Sequence, residues 1–153
     1  MHSLKKNESC IFILGRIQEL RLCHQGQILK YPISTAKRGY GEQHNSFKTP
    51  RGWHYVRAII GKEQPINTFF KARRPSNLSQ DISGRILWLC GLESHNHTPQ
   101  QHSMLRYIYI HGTPRKFLKT PSSIGCINMY NQDIAALCQK IPRYCKVFID
   151  GEE

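Results

Sequence analysis

Apolar residues in this chain of 153 come in runs of at most five before a polar residue, a glycine or a proline interrupts them. Runs that short suit strands crossing a core layer, and they fall well below the ~18 apolar residues a membrane span requires. A mainly β fold follows as the first expectation, and the length fits one compact domain, residues 1–153. That many residues can bury a core without disulfide staples. The predicted strands are residues 11–14, 19–22, 28–33, 53–60, 85–90, 106–111 and 145–149. A turn at 24–27 makes the second and third a hairpin, and Thr49-Pro50-Arg51-Gly52 is a turn feeding the fourth. Residues 37–46, 61–83 and 93–103 read as loops, the second with short strands at most.

In the 106–111 strand, period-two alternation puts Tyr107, Tyr109 and His111 on one face and Ile108 and Ile110 on the other. That tyrosine face is either a half-exposed surface or the floor of a cleft ending in His111. Ile134, Leu137, Cys138 and Ile141 fall at i, i+3, i+4 and i+7 and predict a helix to about residue 140. Asn131 or Asp133 is its expected cap, and Pro142 ends it.

Lysine and arginine outnumber aspartate and glutamate by 22 to 10, a net charge of +12. Such a field favours anionic partners: nucleic acid, an anionic membrane surface or an acidic cell-wall polymer. The basic residues fall in short groups, Lys5-Lys6, Lys37-Arg38, Lys71 with Arg73-Arg74, and Arg115-Lys116 with Lys119, and none is a basic tail. A non-enzymatic nucleic-acid-binding domain needs those groups on one face with interleaved aromatics, and their separation argues against specific nucleic-acid binding. The residues 10–14 run is too short for a signal-peptide core and is soon closed by Arg16, so no export signal is expected here.

Six cysteines show no CxxC and no zinc-ribbon spacing. Cys90, His95, His97 and His102 lie close in sequence and are zinc-ligand types, but their spacing matches no familiar site and no metal is expected. Cys126 differs from the others. It follows His111-Gly112-Thr113 by 15 residues and sits in Ser122-Ser123-Ile124-Gly125-Cys126-Ile127-Asn128-Met129. A thiol of pKa ~8.5 is only a few per cent thiolate at neutral pH, and a neighbouring imidazole can take its proton and later return it to a leaving amine. Gly112 and Gly125 suit the close backbone approach such a meeting requires.

The strand ending in His-Gly-Thr, the proline-bearing loop, and Ser-x-Gly-Cys-Ile-x-Met before a helix resemble the L,D-transpeptidase catalytic domain of the YkuD type. The Thr49–Gly52 turn and the 85–89 strand resemble that family's upstream turn and central strand, so the likeness spans about 11–149. It implies a YkuD-type β-sandwich or open barrel with one main helix after Cys126. It also implies that Cys126 attacks a diamino-acid carbonyl in a peptidoglycan stem peptide, D-alanine leaves, and a second stem's amine resolves the thioester into a 3→3 cross-link. His111 is the implied base, oriented by the Gly112 carbonyl. N–H groups around Gly125 and Cys126 would hold the oxyanion, and Ser123, Asn128 and Tyr109 would shape the pocket. An L,D-carboxypeptidase or other peptidoglycan hydrolase is the alternative on the same pair. No cofactor is implied, and the implied location is the cell envelope, where Cys126 must stay unpaired.

Two positions depart from the family pattern: Ile124 replaces its usual histidine and Asn128 its usual arginine. A polar group and a fixed cation near the thiolate are thereby lost, which leaves the thiolate and a substrate carboxylate less well held. Ile124→His combined with Asn128→Arg is expected to fold normally and to turn over substrate at an equal or higher rate. Thermal melts and a turnover assay check this, and a large loss of folded protein or activity would take these positions out of the cleft.

Overall fold

Side-chain alternation sets the architecture. The computed structural model describes residues 8–117 and 119–151, and the Lys5-Lys6 pair lies outside them. In chain order the elements are β1 (Cys10–Leu14), β2 (Glu19–His24), β3 (Gln27–Pro32), β4 (Gly52–Ile60), β5 (Phe69–Lys71), β6 (Arg74–Ser76), β7 (Ile82–Gly91), β8 (His97–Thr98), β9 (Gln101–His102), β10 (Tyr109–Thr113), β11 (Ile127–Tyr130), α1 (Asn131–Lys140) and β12 (Lys146–Asp150). One sheet runs β11-β10-β7-β4-β12-β1-β2-β3, with the β5–β6 hairpin attached to β7. The pairs β1–β12 and β10–β11 are parallel, and the other ladders are antiparallel. Ser34, just past β3, exchanges backbone hydrogen bonds of 2.8 and 3.0 Å with Asn128 in β11. The two ends of the sheet therefore meet, and the sheet curls into the half-barrel expected of this sequence.

The concave side is apolar because every second residue is. Ile11 and Ile13, Leu20 and Leu22, Leu87 and Leu89, Ile127 and Met129, and Val147 and Ile149 enclose one core. Each such side chain contributes roughly 1.5–3 kcal/mol on burial. Helix α1 closes this core with Ile134, Leu137 and Cys138 and packs on β7, β10 and β11. No helix among the described residues is long and apolar enough to cross a membrane.

Three local expectations need correction. The 106–111 strand begins only at Tyr109, because Tyr107 has φ 56° and breaks the extended run. The helix cap is neither Asn131 nor Asp133: Tyr130 holds the N-cap position and makes no side-chain cap bond. Asn131 instead accepts a hydrogen bond from Ser83 (2.8 Å) and donates to Asn67 (3.2 Å), tying the helix start to the β7 side of the sheet. Finally, β11 (Ile127–Tyr130), absent from the predicted strands, lies between Cys126 and the helix.

His54 of β4 is fully buried, with its ring nitrogens 3.0 Å from the Gly52 carbonyl and 2.7 Å from the Ser103 hydroxyl. Burial depresses its pKa to about 4. The unfolded chain, with His near ~6.5, binds more protons over the interval between, so stability is lost as pH falls from about 6.5 towards 4. Thermal melts across this window should show Tm falling, with a shallower slope for His54→Gln. A Tm independent of pH there would contradict neutral burial.

Candidate active site

Residues paired across a parallel ladder project to the same face. Ile110 pairs with Ile127 and His111 with Asn128. The isoleucines enter the core, so His111 and Asn128 project to the opposite face, with Tyr109 and Cys126 two residues earlier on each chain. On the other side of β10, Tyr109 pairs with Trp88 and His111 with Ile86. This face carries its own small apolar cluster of Phe70, Ile86 and Tyr109, against which Trp88, Ile82 and Cys126 pack.

His111 is buried, and its Nδ1 lies 2.7 Å from the Gly112 carbonyl. A proton on Nδ1 donated to that carbonyl leaves Nε2 as the basic atom. Position 112 must be glycine: the ladder shifts register between His111 and Gly112, and a Cβ there would collide with the Asn131 side chain and the Ser83 carbonyl.

The Cys126 loop is held on several sides. Gly125 has φ +135°, which disfavours any L side chain. Its carbonyl accepts from Thr49 Oγ1 at 2.9 Å, and its N–H donates to Ser123 Oγ at 3.2 Å. The Ser123 hydroxyl in turn donates to the Cys126 carbonyl. Backbone bonds from Ser123 to Thr35 (3.0 Å) and from Lys37 to Ser123 (2.9 Å) stitch the loop to the segment after β3. The Cys126 thiol donates to the Tyr107 carbonyl and accepts from the Tyr109 N–H, both at 3.4 Å.

The sulfur stands between two cavities. One, of about 270 Å³, is lined by His111, Thr113, Ser123, Ile124, Cys126 and Asn128. The other, of about 440 Å³, is lined by His44, Phe47, Arg106, Tyr107, Tyr109, Ile124 and Cys126. A larger cavity, about 570 Å³, lies beside Glu42, Glu93 and His95 and contains none of these groups.

Burial keeps both reacting groups neutral at rest. It pushes the Cys126 thiol up to about 11, against the Tyr109 N–H and the Arg106 charge, which pull it down. It also pushes His111 down to about 4, opposed by the Gly112 carbonyl and Asp81. At neutral pH the two groups are a thiol and a neutral imidazole lining one cavity, with the sulfur held by the Tyr107 carbonyl and the Tyr109 N–H.

The structure thus brings His111, Ser123, Cys126 and Asn128 onto one cavity and Tyr109 onto its neighbour, with Gly112 and Gly125 shaping the backbone between. Tyr107 reaches the second cavity from a turn rather than from strand alternation. Sequence reasoning missed Thr49 as the clasp on Gly125, although its place in the Thr-Pro-x-Gly turn was a usable signal. It also missed Arg106, whose guanidinium is fixed by Lys48 O (2.6 Å), Ser46 Oγ (3.2 Å) and Gly41 O (3.3 Å). The grouped histidines divide. The His97 and His102 rings lie with centroids 4.3 Å apart and planes tilted by 41°, with Cys90 Sγ 3.6 Å from His97 Nδ1, while His95 stands between Glu42 and Glu93. No three or more His, Cys, Asp or Glu among the described residues are arranged to hold a metal ion.

A curled β-sheet with one helix and a cysteine–histidine cleft at the β10–β11 seam defines a narrow class. Residues 13–149 match the L,D-transpeptidase catalytic domain, YkuD, and the chain belongs to that family. No curated protein sequence matches it. Among solved structures it is similar to the L,D-transpeptidase of Xylanimonas cellulosilytica, at 16% identity and a TM-score of 0.57 over 97% of this chain and 63% of that one. It is also similar to Bd1075 of Bdellovibrio bacteriovorus (17%, 0.61, 95% and 49%). A third is the helical cell shape determining protein Pgp2 of Campylobacter jejuni (16%, 0.56, 95% and 49%). At these identities the likeness concerns the fold, and the chain spans between about half and three-fifths of those proteins' lengths.

Arg106 is the charge that draws the Cys126 thiol downward, so its removal should raise the thiol pKa further. The rate of Cys126 alkylation by iodoacetamide, followed against pH, should shift to higher pH in Arg106→Gln and less in Arg106→Lys. An unmoved profile in a folded Arg106→Gln protein would remove Arg106 from the thiol's electrostatics.

Proposed function

We propose that this chain is the catalytic domain of a peptidoglycan L,D-transpeptidase that works through a Cys126 thioester. The observation that carries the proposal is that Cys126 and His111 project from neighbouring parallel strands into one cavity, within a chain whose residues 13–149 match the family. His111 Nε2 takes the thiol proton as sulfur attacks the diamino-acid carbonyl of a stem tetrapeptide. The Gly125 N–H is engaged by Ser123, so the oxyanion falls to the Cys126 N–H at the same turn. A donor of this kind contributes ~2.7–4 kcal/mol in comparable acyl transfer. His111 then returns the proton to the departing D-alanine amine. A side-chain amine of a second stem attacks the thioester, loses its proton to His111, and leaves a 3→3 cross-link with Cys126 restored.

The two cavities meeting at the sulfur favour transfer over hydrolysis, since one can hold the acylated stem while the other admits the amine. Ser123 and Asn128 shape the first and Tyr109 the second. A substrate of this kind places the domain at the cell envelope, where the +12 charge suits an anionic wall.

Incubation with tetrapeptide-bearing muropeptides, read by mass, tests the proposal. Cross-linked dimers are expected, with loss of at least 10³-fold in rate for Cys126→Ala and on the order of 10²–10⁴-fold for His111→Ala. Tripeptide products alone would make the protein a carboxypeptidase. Product formation surviving Cys126→Ala, or none from folded wild-type protein, would refute the mechanism.

A further inference from the structure

The tip of the β5–β6 hairpin breaks the rule for its own turn. Lys71 pairs with Arg74, so Ala72 and Arg73 form a two-residue turn, and both have positive φ, 47° and 64°. Such turns select Asn-Gly, because side chains other than those of Asn, Asp and Gly fit poorly there. Ala-Arg is a poor choice for the backbone, and a backbone outlier of this kind points to a use for the side chain.

That side chain lies against the aromatic residues that flank the site. The Arg73 guanidinium carbon sits 4.6 Å from the Trp88 ring centroid and 5.3 Å from that of Tyr107, and Nη1 donates to the Tyr109 hydroxyl at 2.8 Å. Tyr107 and Tyr109 are the two residues whose backbones hold the Cys126 sulfur. One layer of aromatic side chains thus separates this cation from the nucleophile. Three arginines among the described residues have carboxylate partners: Arg21 with Glu19, Arg51 with Glu42, and Arg115 with Asp81. Among the described residues Arg73 has no carboxylate partner, and Tyr109 occupies only one of its five N–H donors. Phe70, behind it, is buried in the cluster beside Cys126 and anchors the hairpin, while Lys71 and Arg74 add two exposed cations at the tip.

We propose that Arg73 is a carboxylate receptor: its stacked guanidinium pairs through its remaining N–H edge with a carboxylate of the peptide that acylates Cys126. The stacking on Trp88 and Tyr107 fixes the plane of the fork, which is what bidentate carboxylate pairing requires and what lysine cannot supply. The assignment rests on the function proposed above and deepens it. It gives the site a substrate-directed cation from the hairpin, in a chain where Asn128 replaces the family's usual arginine.

Three synthetic tetrapeptide stems test it: one with free carboxylates, one amidated at the C-terminal D-alanine, and one amidated at the diamino acid's side-chain carboxylate. Wild-type protein, Arg73→Gln and Arg73→Lys are compared by kcat/KM, with melts to verify folding. Loss of the pairing should lower kcat/KM for the free stem on the order of 10- to 100-fold in Arg73→Gln, with Arg73→Lys intermediate. Amidation of the recognised carboxylate should cost the wild-type protein a similar factor and cost Arg73→Gln nothing further, and the stem that shows this identifies which carboxylate is bound. An equal loss on all three stems, or no loss, overturns the receptor role and leaves the proposed function intact. If Arg73→Gln fails to fold, the same comparison between Arg73→Lys and wild type decides. No turnover of any stem by the wild-type protein overturns the proposed function and this assignment with it.

Discussion

The parallel pairing of β10 with β11 is the constraint on which the site depends. Its register sends Ile110 and Ile127 into the core and His111 and Asn128 out of it, with Tyr109 and Cys126 following by alternation. A slip of one residue would exchange the two faces, burying an imidazole in the core and exposing two fully buried isoleucines. The apolar effect that fixes the fold therefore also fixes the chemistry. The Ser34–Asn128 bridge fastens the same seam from the opposite end of the sheet, so closure of the half-barrel and placement of the Cys126 loop are one event.

The electrostatics bear on the order of the chemical events. With the thiol near 11 and the imidazole near 4, a thiolate–imidazolium pair is strongly disfavoured in the empty cleft. Each pKa unit is worth about 1.4 kcal/mol, so moving a proton from the thiol to the imidazole is uphill, and at the sulfur the Tyr109 N–H and the Arg106 charge offset part of that cost. A neutral resting thiol also reacts slowly with adventitious electrophiles and oxidants.

Much of the fold was legible in the sequence: short apolar runs closed by polar residues, glycine or proline mark the strands around residues 11–14, 53–60 and 85–90, and a 3.6-residue stripe marks α1. That His111 and Cys126 line one cavity was legible only through motif resemblance, since nothing local says that residues 15 apart come together there. What escaped was tertiary. Tyr107 sits in an alternating pattern, yet it adopts a left-handed turn because its carbonyl is needed at the Cys126 sulfur. Asn131 is a good capping residue by type, but its amide is committed to Ser83 and Asn67. His95 and His97 are separated by one residue and face different neighbours, a divergence that no spacing rule anticipates.

The departures at 124 and 128 acquire a physical meaning once the cations are located. Ile124 is 76% exposed at the rim shared by both cavities, so its apolar side chain costs the fold little and withholds a second imidazole from the sulfur. Asn128 leaves the His111 cavity lined by neutral polar groups around the base, apart from the Asp81–Arg115 pair at its edge. The charge that acts on the sulfur instead comes from Arg106, which lines the other cavity and is locked by three hydrogen bonds to the 41–48 segment. The cation that acts on the Cys126 sulfur thus belongs to the turn before β10 rather than to β11. Because that turn also provides the Tyr107 carbonyl, thiol orientation and thiol polarisation depend on the same few residues, and a substitution there should disturb both together.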